Sequence, residues 1–194
     1  MIEKFKGIYA ATVVPLKKNK SVDLNALSKH VKEVIKTDGI KGLLLNGHAG
    51  ENFTLNKDEQ IKVIKISKKF LNSNNKIISG LNFEDPILAS KVAIKMIKAG
   101  ADAILVFPPF SWSQGVSEEM IFEHHKIICN KINKPVFIYQ SSIYSGHLSY
   151  KKNLLKKLLK IKNIIGVKEG SWHYKSYVNN YKFFKKYKKN FSVM

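Results

Sequence analysis

The sequence contains no arginine and a single cysteine, Cys129, among its 194 residues. One thiol cannot build an internal disulfide framework, which fits a reducing compartment. It lies in the apolar run IICN, a setting that suits a small buried hydrophobe. Acidic residues are scarce, 14 against 34 basic ones, all lysine, for a net charge of +20. No apolar run approaches the ~20 residues needed to span a bilayer, and MIEKFKGIYA lacks the apolar core of a signal peptide. A cytoplasmic location and no membrane partner are expected. The charge raises nucleic-acid binding as one reading. Against it, the residue best suited to bidentate phosphate and base contacts is missing. The lysines are also spread through every amphipathic run; only the stretch from Lys182, KFFKKYKKN, is dense. Solvated lysine-rich helix faces are the simpler account, and no nucleic-acid partner is expected.

What is present is a regular alternation, with 44% hydrophobic residues recurring along the whole chain, which excludes intrinsic disorder. Short β-type runs end in Gly, Pro or Asn, and each is followed by a longer amphipathic run. The β-type runs are GIYAATVVP from Gly7, GLLLNG from Gly42, KIISGL from Lys76, AILVFPP from Ala103, PVFIYQ from Pro135 and IIGVKEG from Ile164, with a last fragment, FSVM, from Phe191. Apolar residues are nearly continuous inside them, as in parallel strands covered on both faces. The spacing predicts helices over Asp23–Lys36, Asn56–Leu71, Asp85–Lys98, Ser117–Asn130, Ser149–Lys160 and Ser171–Tyr187. Asp23 and Ser117 read as N-caps, Asn56 with Glu59 as a capping box, and Pro86 with Gly100 as a start and a stop. No linker or low-complexity segment intervenes, so one domain over 1–194 is expected.

Alternating βα units leave an open doubly wound sheet or a (β/α)8 barrel. A dinucleotide-binding sheet carries a Gly-rich turn after its first strand; here Pro15 is followed by LKKNKSVDL. The expected fold is therefore α/β of the TIM (β/α)8-barrel type. A full barrel takes about 250 residues. With six βα units and the start of a seventh strand, an incomplete, C-terminally shortened barrel is expected; a sheet closed some other way is the alternative.

Barrel active sites lie at the C-terminal ends of the strands, and the unusual residues cluster there. Strand alternation places Ile164, Gly166 and Lys168 on one face and Ile165, Val167 and Glu169 on the other. A lysine in a buried strand is costly unless neutral or paired. A lowered amine pKa makes it a nucleophile toward carbonyl carbon; a structural pair with a carboxylate such as Glu51 is the alternative. Tyr139, ending the fifth strand, is a candidate proton relay or an ordinary core aromatic. Gly47 and Gly50 bracket a turn, with His48 and Ala49 between them, whose amides could hold a carboxylate, or which simply joins strand to helix. His48, His147 and His173 fall in loops on the same rim, but their spacing matches no metal-ligand motif, so no metal is expected. His124 and His125, adjacent on a helix, are expected to diverge and share no site. Trp112 and Trp172 at strand ends are candidate rim or interface residues.

The order of these elements resembles the dihydrodipicolinate synthase / N-acetylneuraminate lyase family of class I pyruvate aldolases. The matching stretches are ATVVPL with Asp23 after it, NGHAGE followed by LNKDEQ, AGADAILVFPP, PVFIYQ followed by Gly146, and GVKEG, running in family order from Gly7 to about Gly170. The resemblance implies that Lys168 forms a Schiff base with pyruvate or another 2-oxo acid. It implies that Tyr139 shuttles protons and that Gly47, His48, Ala49 and Gly50 hold the keto acid's carboxylate. It also implies no metal or organic cofactor and, at full length, a homo-oligomer, commonly a tetramer. Departures narrow it. The family usually has two hydroxyl residues where His48 and Ala49 stand, and its synthases have a second tyrosine where Phe110 stands. Tyr139 is followed by Gln140, Ser141 and Ser142 rather than Asn-x-Pro, and the arginine that holds an aldehyde substrate's carboxylate is absent. A lyase with a divergent small-molecule 2-oxo acid substrate is expected. The alternatives are a noncatalytic barrel fragment and, less favoured, a basic nucleic-acid-binding module.

Overall fold

The structure, a computed structural model, describes residues 5–194. Its elements alternate: β1 (Ile8–Ala11), α1 (Leu24–Lys36), β2 (Ile40–Leu45), α2 (Lys57–Lys68), β3 (Lys76–Leu81), α3 (Pro86–Ala99), β4 (Ala103–Val106), α4 (Glu118–Lys131), β5 (Val136–Gln140), α5 (Lys152–Leu158), β6 (Ile164–Glu169), α6 (Tyr174–Tyr187) and β7 (Ser192–Val193). Strand order follows chain order from β1 to β7. A doubly wound sheet reverses its order at a switch point; an unreversed order with a helix after each strand is that of a (β/α)-barrel chain. The residues fall into two compact units. One runs to Leu81 and includes Val92–Ile104; the other comprises Asn82–Lys91 and Leu105–Met194.

In the first unit β1, β2 and β3 pair in parallel, with Tyr9 opposite Gly42 and Leu43 opposite Ile77. A side chain at position 42 would meet the Tyr9 ring and the Lys76 carbonyl well inside contact distance. Helix α1 starts where expected because Asp23 accepts from the amides of Asn25 and Ala26, and it buries Leu27 and Val31. The capping box of α2 forms in both directions: Asn56 accepts from the Asp58 and Glu59 amides, and Glu59 accepts from the Asn56 amide at 3.0 Å. β1 is shorter than expected and not covered on both faces; Ile8 is 62% exposed.

In the second unit β5, β6 and β7 are parallel. Ser117 caps α4 by accepting from the Met120 amide. Phe137, Phe184 and Phe191 are fully enclosed, and the last two stack with centroids 5.1 Å apart. The FSVM fragment does form a strand, pairing Gly166 with Ser192 and Val167 with Val193. Two helix starts differ from expectation. Residues Ile143–Leu148 form a 3₁₀ segment broken at Gly146, whose φ is +56°. Ser149 accepts from the Gln140 side chain instead of capping, and α5 begins at Lys152. Likewise Ser171 donates to Glu169, so His173 caps α6 by accepting from the Ser176 amide.

Candidate active site

Tyr139 and Lys168 stand directly opposite one another in the β5–β6 register. Neighbouring residues of paired strands point to the same face, so the two side chains project together. The Lys168 Nζ lies 5.1 Å from the centroid of the Tyr139 ring. The register brings this about through a slip: Val136 pairs with Ile164 but Phe137 with Gly166, so Ile165 is an extra residue. From there the alternation is regular, with Gly166 and Lys168 on one face as expected. Glycine at 166 gives room to the Phe137 ring, which a Cβ there would overlap. Two further residues, to which sequence reasoning gave no role, fix the phenol. The Phe107 ring sits 4.9 Å from that of Tyr139. Gly170, just past β6, leaves no space for a Cβ, which would meet the Tyr139 hydroxyl. The only signals for them were an aromatic at a strand end and a glycine after a strand.

Burial is the largest influence on both titrating groups. It lowers the Lys168 pKa below that of an ordinary amine, while the charge of Glu169 acts in the other direction. It raises that of Tyr139, with Glu169 adding to the rise. Glu169 itself is engaged elsewhere. Its oxygens accept from the Ser171 hydroxyl and the Asn180 amide, each at 2.9 Å. Among the described residues no carboxylate forms an ion pair with Lys168. A half-buried amine with no ion pair among the described residues, beside a phenol, can present a neutral nucleophile with an acid–base group at hand.

The turn after β2 lies in the first unit. Asn46 takes a left-handed conformation, φ +52°, and its buried side chain donates to the Gln60 carbonyl and to Ser79 Oγ. Such a conformation is most tolerable for asparagine among non-glycine residues. His48–Gly50 form a single 3₁₀ turn, ended by Glu51 at φ +50°. Gly50 is buried, and a Cβ there would sit 3.0 Å from the Thr12 carbonyl; Gly47 has no such constraint. His48 and Ala49 are exposed. The Gly50 amide already donates to the Gly47 carbonyl at 3.0 Å.

His124 and His125 do not diverge. Both are buried, their ring centroids 5.7 Å apart; His124 meets Trp112 edge-on at 5.1 Å, and His125 meets Tyr150 at 5.6 Å. Trp112 is thus a core residue, whereas Trp172 is almost fully exposed with φ +54°. Burial pushes the His124 pKa down to about 4 and that of His125 to about 3. It pushes the Cys129 thiol up to about 12, as suits a small core hydrophobe. His147 lies in the 3₁₀ segment, and His173 Nδ1 is engaged by Ser176. Among the described residues no group of three His, Cys, Asp or Glu converges to hold a metal ion, and no helix is long and apolar enough to cross a membrane.

Residues 4–194 match the model of the dihydrodipicolinate synthetase family. The chain is 32% identical over 167 residues to 4-hydroxy-tetrahydrodipicolinate synthase of Pelagibacter ubique, covering 86% of this chain and 55% of that protein. Its fold superposes on dihydrodipicolinate synthase from Aquifex aeolicus with a TM-score of 0.83 at 26% identity, covering 98% of this chain and 62% of that one. N-acetylneuraminate lyase from Mycoplasma synoviae shares the fold, with a TM-score of 0.84 at 22% identity over 100% of this chain and 63% of that one. The chain thus spans little more than half the length of the curated relative.

Proposed function

The chain belongs to the dihydrodipicolinate synthetase family, and from that premise we propose that it is a Schiff-base-forming lyase acting on pyruvate or a closely related 2-oxo acid. The neutral Lys168 amine adds to the keto carbon and a proton moves from nitrogen to the former carbonyl oxygen, giving a carbinolamine; its hydroxyl then takes one further proton, from Tyr139, and leaves as water to give the protonated imine. Loss of a C3 proton from the imine gives an enamine whose carbon can form a bond to an electrophile; the reverse sequence breaks one. Tyr139 carries protons to and from these oxygen and carbon centres. The observation that supports this reading best is the pairing of Lys168 with Tyr139 across β5 and β6, with the amine pKa lowered by burial against the opposing charge of Glu169.

In the same reading the Gly47–Gly50 turn holds the substrate carboxylate. Because the Gly50 amide is spent inside the turn, that role rests on the earlier residues, with the His48 ring replacing a lost hydroxyl. None of these 194 residues is an arginine, so none of them offers a guanidinium fork to a second substrate. Assembly into a homo-oligomer belongs to this proposal as well.

Proton exchange tests the reading without knowledge of the second substrate. An enamine formed in D2O takes up solvent deuterium at C3, so the methyl signal of pyruvate in proton NMR should fade with the protein present. Lys168→Ala should leave the signal intact. Exchange no faster than buffer alone, or equal exchange with Lys168→Ala, overturns the proposal; the former favours a noncatalytic barrel fragment.

A further inference from the structure

The last third of the chain is unusually poor in acid. After Glu123 the only carboxylate side chain is Glu169, and it is taken up by Ser171 and Asn180. Neither α5 nor α6 contains an acidic residue. Between them lies a cleft of about 370 Å³ walled by Lys152, Lys156, Lys182 and Lys186, with Asn179 and Tyr187. On each helix the two lysines are four residues apart, a spacing at which like charges face each other and repel. On α1 and α4 the pairs Lys36–Glu33 and Lys126–Glu123, three residues apart, set an acid beside a lysine; α5 and α6, like α3, have none. Among the described residues no carboxylate forms an ion pair with these four lysines.

The Tyr187 ring reports the resulting field. Lys156 Nζ lies 5.0 Å and Lys186 Nζ 6.0 Å from its centroid. The Tyr187 phenol is drawn below its ordinary pKa, first by a hydrogen bond from Lys156 and then by the surrounding lysine charges. A second cleft of about 470 Å³, lined in part by Gln140, Ser149 and Asn180, shares Lys152 and Asn179 with the first. The second cleft adds Lys151 to the shared Lys152 among polar and apolar neighbours, so it is less densely basic than the first.

We propose that this lysine cleft is a binding site for a small polyphosphate anion, met either as inorganic polyphosphate or as the triphosphate arm of a nucleotide. Four compact ammonium groups, each with three rotatable donors, suit several phosphate oxygens at once. Lys156 and Lys186 stand near the Tyr187 ring, and binding is assigned to the phosphates alone. The site is independent of Lys168 and of the aldolase reading.

Calorimetric titration at fixed ionic strength with sodium tripolyphosphate, ATP, orthophosphate and a short DNA duplex tests it. Tripolyphosphate and ATP should bind alike, and at least about tenfold more tightly than orthophosphate, because charge-assisted contacts accumulate. Lys152→Gln/Lys156→Gln/Lys182→Gln/Lys186→Gln should weaken both by at least about tenfold, and the milder Lys156→Gln/Lys186→Gln by about threefold. A charge-matched control on α2 and α3, Lys62→Gln/Lys65→Gln/Lys91→Gln/Lys95→Gln, should stay within about twofold, since long-range surface charge is screened. The proposal is overturned by no saturable binding to tripolyphosphate, by equal weakening in the cleft and control variants, by a strong preference for ATP over tripolyphosphate, or by tighter binding of the duplex.

Discussion

Mild acid should destabilise this protein through two histidines that take no part in the proposed chemistry. His124 is 5% exposed and His125 fully enclosed. The Nδ1 of His125 lies 2.8 Å from the Ile121 carbonyl, which can only accept, so that nitrogen carries the proton of the neutral ring. Its Nε2 is buried without a partner, so protonation would place a charge where nothing can solvate it. Folded-state values of about 4 and about 3 lie well below the unfolded value of 6.5. The unfolded chain therefore binds protons from about pH 6.5 downward while the native chain does not, and stability falls as pH falls. Each ring contributes a slope of about 1.4 kcal/mol per pH unit across this window. From pH 7 to pH 5 that is about 2 kcal/mol per ring and about 4 together, a large part of the ~5–15 kcal/mol that holds a domain folded. Urea unfolding followed by circular dichroism at pH 7, 6 and 5 measures it, above the range where most carboxylates titrate. His125→Phe keeps an aromatic ring in the cluster and should roughly halve the slope. A loss below about 1 kcal/mol over this interval, or an unchanged slope in His125→Phe, would refute the reasoning.

Three further outcomes are expected. Tyr139→Phe should slow C3 exchange of pyruvate by about 10²–10⁴-fold, as for loss of a general acid–base group, while leaving urea stability within about 1 kcal/mol. Asn56→Ala removes the acceptor for two orphan amides of α2 and should lower stability by about 1 kcal/mol in the same denaturation assay. Phe191→Ala empties the stack with Phe184 beside β7 and should cost about 3–5 kcal/mol. Because the Glu169 amide donates to the Met194 carbonyl, it should also loosen the end of β6, read as faster hydrogen exchange at residues 167–169.

The parts of the fold that could be read from the sequence are those governed by local rules. Asp23, Asn56, Ser117 and Pro86 start helices because each satisfies, or does not need, an orphan amide. Lys168 could be placed near a strand end because alternation holds from Gly166 onward, but its facing of Tyr139 depends on the extra residue Ile165, which no local pattern announces. What escaped depends on partners distant in sequence. Ser149 and Ser171 look like caps until Gln140 and Glu169 claim their hydroxyls. His124 and His125 diverge on an isolated helix, yet Trp112 and Tyr150 arrive from other elements and enclose both. The exposure of Ile8 was likewise hidden, since an apolar run at a chain's start reads the same whether or not its faces are covered. Gly170 was quoted within a motif, but its closeness to the phenol is a property of two strands together.

The central claim is that Lys168 bonds covalently to a 2-oxo acid, and reductive trapping tests it most directly. The protein is incubated with pyruvate, reduced with borohydride, digested and mapped by tandem mass spectrometry. The account predicts one reduced pyruvate adduct per chain, carried by Lys168 and absent from Lys168→Ala. An unmodified Lys168, or an adduct spread over the other lysines and undiminished in Lys168→Ala, would contradict it.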